Sequence, residues 1–285
     1  MALRDTLLPF THSRTLWEVS SVATVFGLYS LLPIWKEHSP YATVADIPSG
    51  LHAAFSVVVG WLLVFRTNTA YARWWEARTL WGALVNVSRN ASVKLSRLVQ
   101  LPTEELQTVR ALLTYFPYAL RDHLRNEGNL DDMPEIKNET EIKHIPSIIV
   151  ARLYERVSHW KNLGWIDGDE MRVIDIDLAK YLDICGACER IQRTPIVRSY
   201  RYFTRQCVML LLLTFPWGIA NDFGWWTLPM TMLTAYFMVG LETVAEHVEE
   251  PFGRDEDDLD LDGMCLTIEN SVQQIINPDL RSANT

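Results

Sequence analysis

Cysteine pairs, ordered histidines and net positive charge are scarce in this chain, and each shortage closes a route. Four cysteines occur in 285 residues; Cys185 and Cys188 form a lone C-x-x-C, while Cys207 and Cys265 lie far off. A zinc site needs four ligands, usually from two such pairs or from added histidines, so neither a zinc module nor a disulfide framework is expected. Within the helical pattern Ile174, Leu178, Tyr181, Leu182, Cys185, Cys188 the pair reads as small core filler. No Gly-rich phosphate loop, internal repeat, low-complexity tract or useful strand-like alternation occurs. The N-terminus lacks an apolar core followed by a small-residue cleavage site, so no removable signal peptide is expected. With a net charge of -9 there is no basic field to attract phosphates, which excludes nucleic acid as a partner.

What is present is apolar length. A mean hydropathy close to zero hides it. Apolar residues concentrate near Leu16–Trp35, Gly50–Phe65, Cys207–Ala220 and Phe223–Leu241. Crossing roughly 30 Å of hydrocarbon takes about 20 mostly apolar residues. The first and fourth runs suffice alone, and the other two extend into tolerable flanks. Buried helices of a large soluble core are the competing reading. Many of the 11 tryptophans argue against it, because Trp17, Trp35, Trp61, Trp217, Trp225 and Trp226 stand near segment ends like interface anchors.

The runs form two pairs. A short connection with Pro40, Asp46 and Pro48 joins the first pair, and little more than Asn221-Asp222 joins the second. Arg4, Arg14, Arg66, Arg73, Arg78, Arg198, Arg201 and Arg205 flank one side, whereas the connections carry only Lys36. Basic residues favour the cytoplasmic face. Both termini and the long middle region are therefore expected in the cytoplasm. The expectation is an all-α multi-pass membrane protein with membrane helices about 14–36, 49–72, 204–220 and 223–245. A helical cytosolic region about 73–203 and an acidic C-terminal segment 246–285 complete one unit, 1–285.

The middle region reads as helices. Leu106, Val109, Leu113, Phe116 and Leu120 make a core-facing stripe, with a kink or break expected at Pro117. Asn126–Thr140, with Gly128 and Pro134, reads as a loop; a helix near Pro146–Trp160 precedes the turn Gly164–Gly168, and a stripe over Ile174–Ile191 ends at Thr194-Pro195.

Glu242 to Asp262 holds ten acidic side chains against one basic one, Arg254, so the rest of the chain is neutral. Such runs are usually solvated. An enzyme reading would use Glu242, Glu246, His247, Glu249 and Glu250. Di-iron bundles, however, use paired Glu-x-x-His units on facing helices, and this chain lacks such a pair. Its other histidines (His12, His38, His52, His123, His144, His159) are scattered in sequence.

Val57, Trp61 and Phe65 are spaced four apart and share one helical stripe. Lipid or neighbour packing accounts for such a stripe. So does a hydrophobic constriction that closes a pore by expelling water, provided several identical subunits surround an axis. Just beyond it Arg66, Asn68, Arg73, Glu76 and Arg78 need partners, because unpaired buried charge costs several kcal/mol. A polar collar tying helix ends together, with Arg73 and Glu76 paired at helical spacing, suits them better than direct ion binding.

Three motifs then carry a resemblance. They are Arg66-x-Asn68-x-Ala70-Tyr71-x-Arg73-x-Trp75-Glu76-Ala-Arg78-x-x-Trp81-Gly82, Cys188-Glu189-Arg190-Ile191 with Thr194-Pro195-Ile196, and Gly240-x-Glu242 through Glu249-Glu250-Pro251-Phe252-Gly253-x-Asp255-x-x-Asp258-Leu259. In this order, over nearly the whole chain, they resemble the bestrophin family and particularly its prokaryotic branch. The resemblance implies a homopentameric ion channel of a bacterial inner membrane, with four membrane helices per subunit and a helical cytosolic vestibule. It puts the pore neck on Val57, Trp61 and Phe65 and the cytosolic aperture on Ile196. Prokaryotic relatives commonly continue Pro-Ile-Pro where this chain has Val197-Arg198, and an Arg198 beside the aperture adds positive potential that favours anions. Trp61 is also unusually bulky for a neck.

Animal members clasp calcium with acids after Pro-Phe-Gly; Asp255 and Asp258 match those positions, but His247 and Glu250 stand where the clasp has Gln and Asn. Solvated or interhelical acids are the plainer reading. The expected partners are other copies of the chain, membrane lipid and small ions, with no cofactor required. Chloride or another anion is the expected cargo. A sodium channel of the same fold, a metal-dependent membrane enzyme and a membrane scaffold are the alternatives.

Overall fold

A computed structural model describes residues 13–42, 44, 47–127 and 144–277. Expectations resting on Arg4, His12, Asp46, the Arg14 side chain and most of the loop after Asn126 lie outside the described residues. Among the described residues all regular structure is helical. The helices are α1 (Arg14–Tyr29), α2 (Leu31–Glu37), α3 (Ser49–Arg97), α4 (Thr103–Arg125), α5 (Ile145–Asn162), α6 (Gly168–Arg193), α7 (Arg198–Phe223), α8 (Thr227–Glu249) and α9 (Leu261–Ile275). A single 3-10 turn, Gly224–Trp226, links α7 to α8. The chain divides into two compact units, Met1–Trp74 with Pro195–Pro251 and Asp255–Asp257, and Trp75–Thr194 with Phe252–Arg254 and Asp258–Thr285. Helix α3 supplies residues to both.

Among the described residues, three stretches are long and apolar enough to cross a membrane: Thr15–Glu37, Ser49–Arg97 and Arg198–Glu249. The last is folded in two at Gly224–Trp226, since α7 and α8 run antiparallel with Arg205 facing Glu242 and Leu211 clustering with Ala235. The first is not one smooth helix. Pro33 has no N–H for the Tyr29 carbonyl, and the Ser30 hydroxyl turns back onto the Gly27 carbonyl at 2.6 Å, so the helix divides at Ser30.

In the first unit Ala23, Phe26, Val59, Leu63, Val208, Leu211, Leu212 and Ala235 form the core. Apolar area alone does not drive helices together in lipid, so close approach at small residues matters more. Gly27 shows it: a Cβ there would stand 2.2 Å from Met232 Cγ. Across the bundle, Tyr29 Oη donates to the Leu213 carbonyl at 3.1 Å and accepts from Trp217 Nε1 at 2.7 Å.

The second unit is built on the predicted stripes. Leu106, Val109, Leu113, Phe116 and Leu120 are all at most 2% exposed. Helix α4 runs through Pro117 without a break, because Phe116 and Leu120 on either side are fully buried and their packing outweighs the lost backbone bond. Phe116 meets Tyr181 of α6 edge-on at 4.7 Å, and Tyr181 Oη donates to Ser88 Oγ of α3 at 3.0 Å. Lys94 of α3 pairs with Asp177 of α6 at 2.8 Å. Helix α6 opens on a capping box between Asp167 and Glu170. Cys185 and Cys188 lie in the core, and burial pushes the Cys185 thiol up to about 12, which keeps it protonated.

Candidate functional site

Helix α3 uses opposite faces differently. Val59, Leu63, Arg66 and Ala70 repeat at four- and three-residue steps and are fully buried within the chain. Val57, Trp61 and Phe65 point away from that face and are 62%, 65% and 55% exposed. The Trp61 and Phe65 rings touch edge to face at 5.7 Å. The stripe is therefore preformed and contributes nothing to the core of its own chain.

Arg66, directly after the stripe, turns inward. Its Nη1 donates to Glu242 Oε1 of α8 at 2.6 Å, while Nε and Nη2 are buried without a hydrogen-bond partner among the described residues. Arg205 Nε donates to the same Glu242 oxygen at 2.7 Å, and its Nη2 reaches Glu246. Two guanidinium groups thus meet two carboxylates. The net charge of this quartet is zero, which makes the burial of a cation tolerable.

Two turns along α8, Glu249 is 1% exposed and holds the next feature. Its Oε1 accepts the Ile196 backbone N–H at 3.0 Å, and its carbonyl accepts Arg73 Nε at 3.1 Å. Ile196 is half-buried, and Arg198 is exposed at the first position of α7. Asn68 is also exposed. Of the remaining collar residues, Glu76 accepts from Arg190 of α6 at 2.5 Å, and Arg78 is exposed. The collar residues Arg66, Arg73 and Glu76 thus each contact a different helix from their own.

Asp257, among the acids after Pro251, sits 3.5 Å from His247 Nδ1, and its carbonyl accepts Trp74 Nε1 at 3.1 Å. Asp255 is exposed and Asp258 half-buried. Among the described residues, three ligand-bearing side chains come within 4.8 Å of one another at His123, His144 and Glu189. Neither Asp255 nor Asp258 belongs to that group.

Sequence reasoning had set Glu242, Glu246 and Glu249 aside as an enzyme candidate and missed their pairing. Their spacing of four and three at the end of an apolar helix was the available signal. It puts three carboxylates on one face, where basic partners from neighbouring helices can reach them.

The model of the bacterial/fungal bestrophin protein family matches residues 3–274. A voltage-dependent anion channel-forming protein of a Nostoc species is 31% identical over 243 residues, covering 80% of this chain and 78% of that protein. One from Mesorhizobium japonicum is 34% identical over 215 residues, covering 74% and 69%. The protein of the same description, YneE, from Escherichia coli K12 is 28% identical over 276 residues, covering 93% and 88%. The crystal structure of a bacterial bestrophin homolog from Klebsiella pneumoniae superposes with a TM-score of 0.82 at 20% identity over 90% of this chain and 97% of that one, a likeness of fold. The chain belongs to the bacterial/fungal bestrophin family.

Proposed function

We propose that this chain is the subunit of a homopentameric channel that passes small monovalent ions, chloride and related anions foremost. The neck is formed by Val57, Trp61 and Phe65 and the cytosolic aperture by Ile196. The protein is integral to the membrane. Four crossings, from α1–α2, the first part of α3, α7 and α8, put both termini in the cytoplasm, in a bacterial inner membrane with lipid around the bundle. The observation that carries this reading is the exposed apolar stripe on a helix whose opposite face is fully used inside the chain. A ring of such stripes makes an uncharged constriction that dewets and lets weakly held ions pass.

Family membership and the channel names of the relatives support the same reading. Exposed Arg198 beside Ile196 supports anions, since a cation near a narrow opening raises local anion concentration. The metal-enzyme alternative is set aside: the relatives named above are channel-forming proteins, and the Glu242 and Glu246 carboxylates are engaged by Arg66 and Arg205. A passive pore requires no cofactor. Calcium at Asp255 and Asp258 rests on the resemblance alone, and neutralising both should abolish any calcium response of the current.

A sodium channel of the same fold is the second reading, because three uncharged neck side chains do not by themselves select the sign of the ion. Purified protein in planar bilayers under a sodium chloride gradient separates the two. The expected reversal potential moves toward the chloride equilibrium value. A move toward the sodium value overturns the anion assignment, and no current from an intact assembly overturns the channel.

A further inference from the structure

Two histidines that are scattered in sequence converge on one carboxylate in the second unit. His123 lies in the last turn of α4, His144 is the N-cap of α5, and Glu189 stands near the end of α6. Nε2 of His123 is 2.6 Å and Nε2 of His144 2.7 Å from the same Oε1 of Glu189. The imidazole rings lie 4.5 Å apart at 50°. We propose that His123, His144 and Glu189 form a binding site for a divalent transition metal of the zinc type, pinning three helix ends of the cytosolic unit together.

The donor set fits that class. Two imidazole nitrogens and a carboxylate oxygen suit zinc, with water as the fourth ligand. Their present spacing is that of hydrogen bonds. A metal would take the place of the shared protons, with only a small outward movement of the three atoms to reach bonds of about 2.0–2.1 Å. The side chains are 17%, 35% and 18% exposed, so an ion has a way in from solvent. Cys185, one turn before Glu189, is buried in the core and is not one of the three side chains that converge. Arg193 Nη2 is 3.5 Å from Glu189 Oε1 and opposes a cation, but its side chain is 66% exposed and is free to swing into water.

One coupling distinguishes metal binding from a simple hydrogen-bonded cluster. The Ser147 backbone N–H donates to His144 Nδ1 at 3.2 Å, which places the proton of neutral His144 on Nε2. A metal on Nε2 moves that proton to Nδ1 and removes the cap from Ser147. Zinc binding is therefore expected to speed amide exchange at Ser147 while it slows global unfolding.

Full-length protein, stripped with chelator and titrated with zinc sulfate, is expected to bind one ion per chain and to melt at higher temperature. His123→Gln and His144→Gln should each weaken binding at least tenfold. Cobalt should give the intense visible bands of a tetrahedral N/O site. Zinc affinity unchanged in both variants, or wild-type protein that takes up no zinc, overturns the proposal. If the variants do not assemble, the wild type still decides: a cobalt spectrum without those bands and unaltered Ser147 exchange overturn it. Ion conduction is a separate readout, so either reading can fail alone.

Discussion

Arg66 and Glu242 meet at 2.6 Å with the guanidinium wholly shut off from solvent. Arg205 shares the same carboxylate oxygen from the other side but is 38% exposed. The two arginines therefore depend on Glu242 unequally, since only one of them can be hydrated when the carboxylate is lost.

Glu242→Gln should accordingly cost on the order of 3–5 kcal/mol, the usual penalty for stranding a buried charge. Arg205→Gln should cost about 1 kcal/mol, in line with a partly exposed pair. Thermal unfolding and size exclusion in detergent measure both. Equal losses would mean that Arg66 is reached by water.

Trp61→Ala should raise conductance or open probability severalfold, because the neck loses its bulkiest side chain. Single-channel recording checks this. Unchanged currents from an intact assembly would show that Trp61 faces lipid or a neighbour.

Ile196→Ala should change permeability ratios more than gating. Glu249→Gln should act at the same place, because it weakens the acceptor that fixes the Ile196 backbone. Reversal potentials under mixed anions give the measurement, and identical ratios in both variants would remove the aperture from Ile196.

Asp262 carries the pH prediction. Burial alone would raise its carboxyl, but Arg125 at 3.1 Å and Arg121 at 2.5 Å outweigh that and hold it below the ordinary value. A lowered folded-state value gives stability that is present above about pH 4, the unfolded value, and lost as pH falls through the folded one. The carboxylate is 57% exposed, so the gain at pH 7 is about 1 kcal/mol or less. Asp262→Asn should lower the melting temperature at pH 7, and the gap should shrink as pH falls below about 4. A gap that does not shrink with acidification would place the effect in packing.

Much of the fold was legible because periodicity reports burial directly. The stripe Leu106 to Leu120 and the span Ile174–Ile191 fell where side chains pack, except at Leu182, which is 39% exposed because it lies off the face that Leu178 and Tyr181 bury. The break that Pro117 allowed does not occur, because local propensity cannot see the buried neighbours that hold a helix through it. At the candidate site, the exposed stripe of α3 was visible from spacing alone. The partners of Arg66 and Ile196 were not: Glu242 is 176 residues from one, and Glu249 is 53 from the other. The His123, His144 and Glu189 cluster was invisible for the same reason. No local pattern marks residues that meet only when three helix ends come together.

Helix α3 runs 49 residues without a proline. It is one α-helix from Ser49 to Arg97, and without proline it lacks the usual cause of a sharp bend. In the proposed channel the neck side chains sit on the part of this helix that belongs to the first unit, and bending the backbone there to widen the neck would sacrifice helical hydrogen bonds. Turning the Trp61 and Phe65 rings costs about 0.5–1.5 kcal/mol for an off-rotamer step. The economical way to open such a gate is at the level of χ angles, which sets its natural clock by ring rotation rather than by hinge motion.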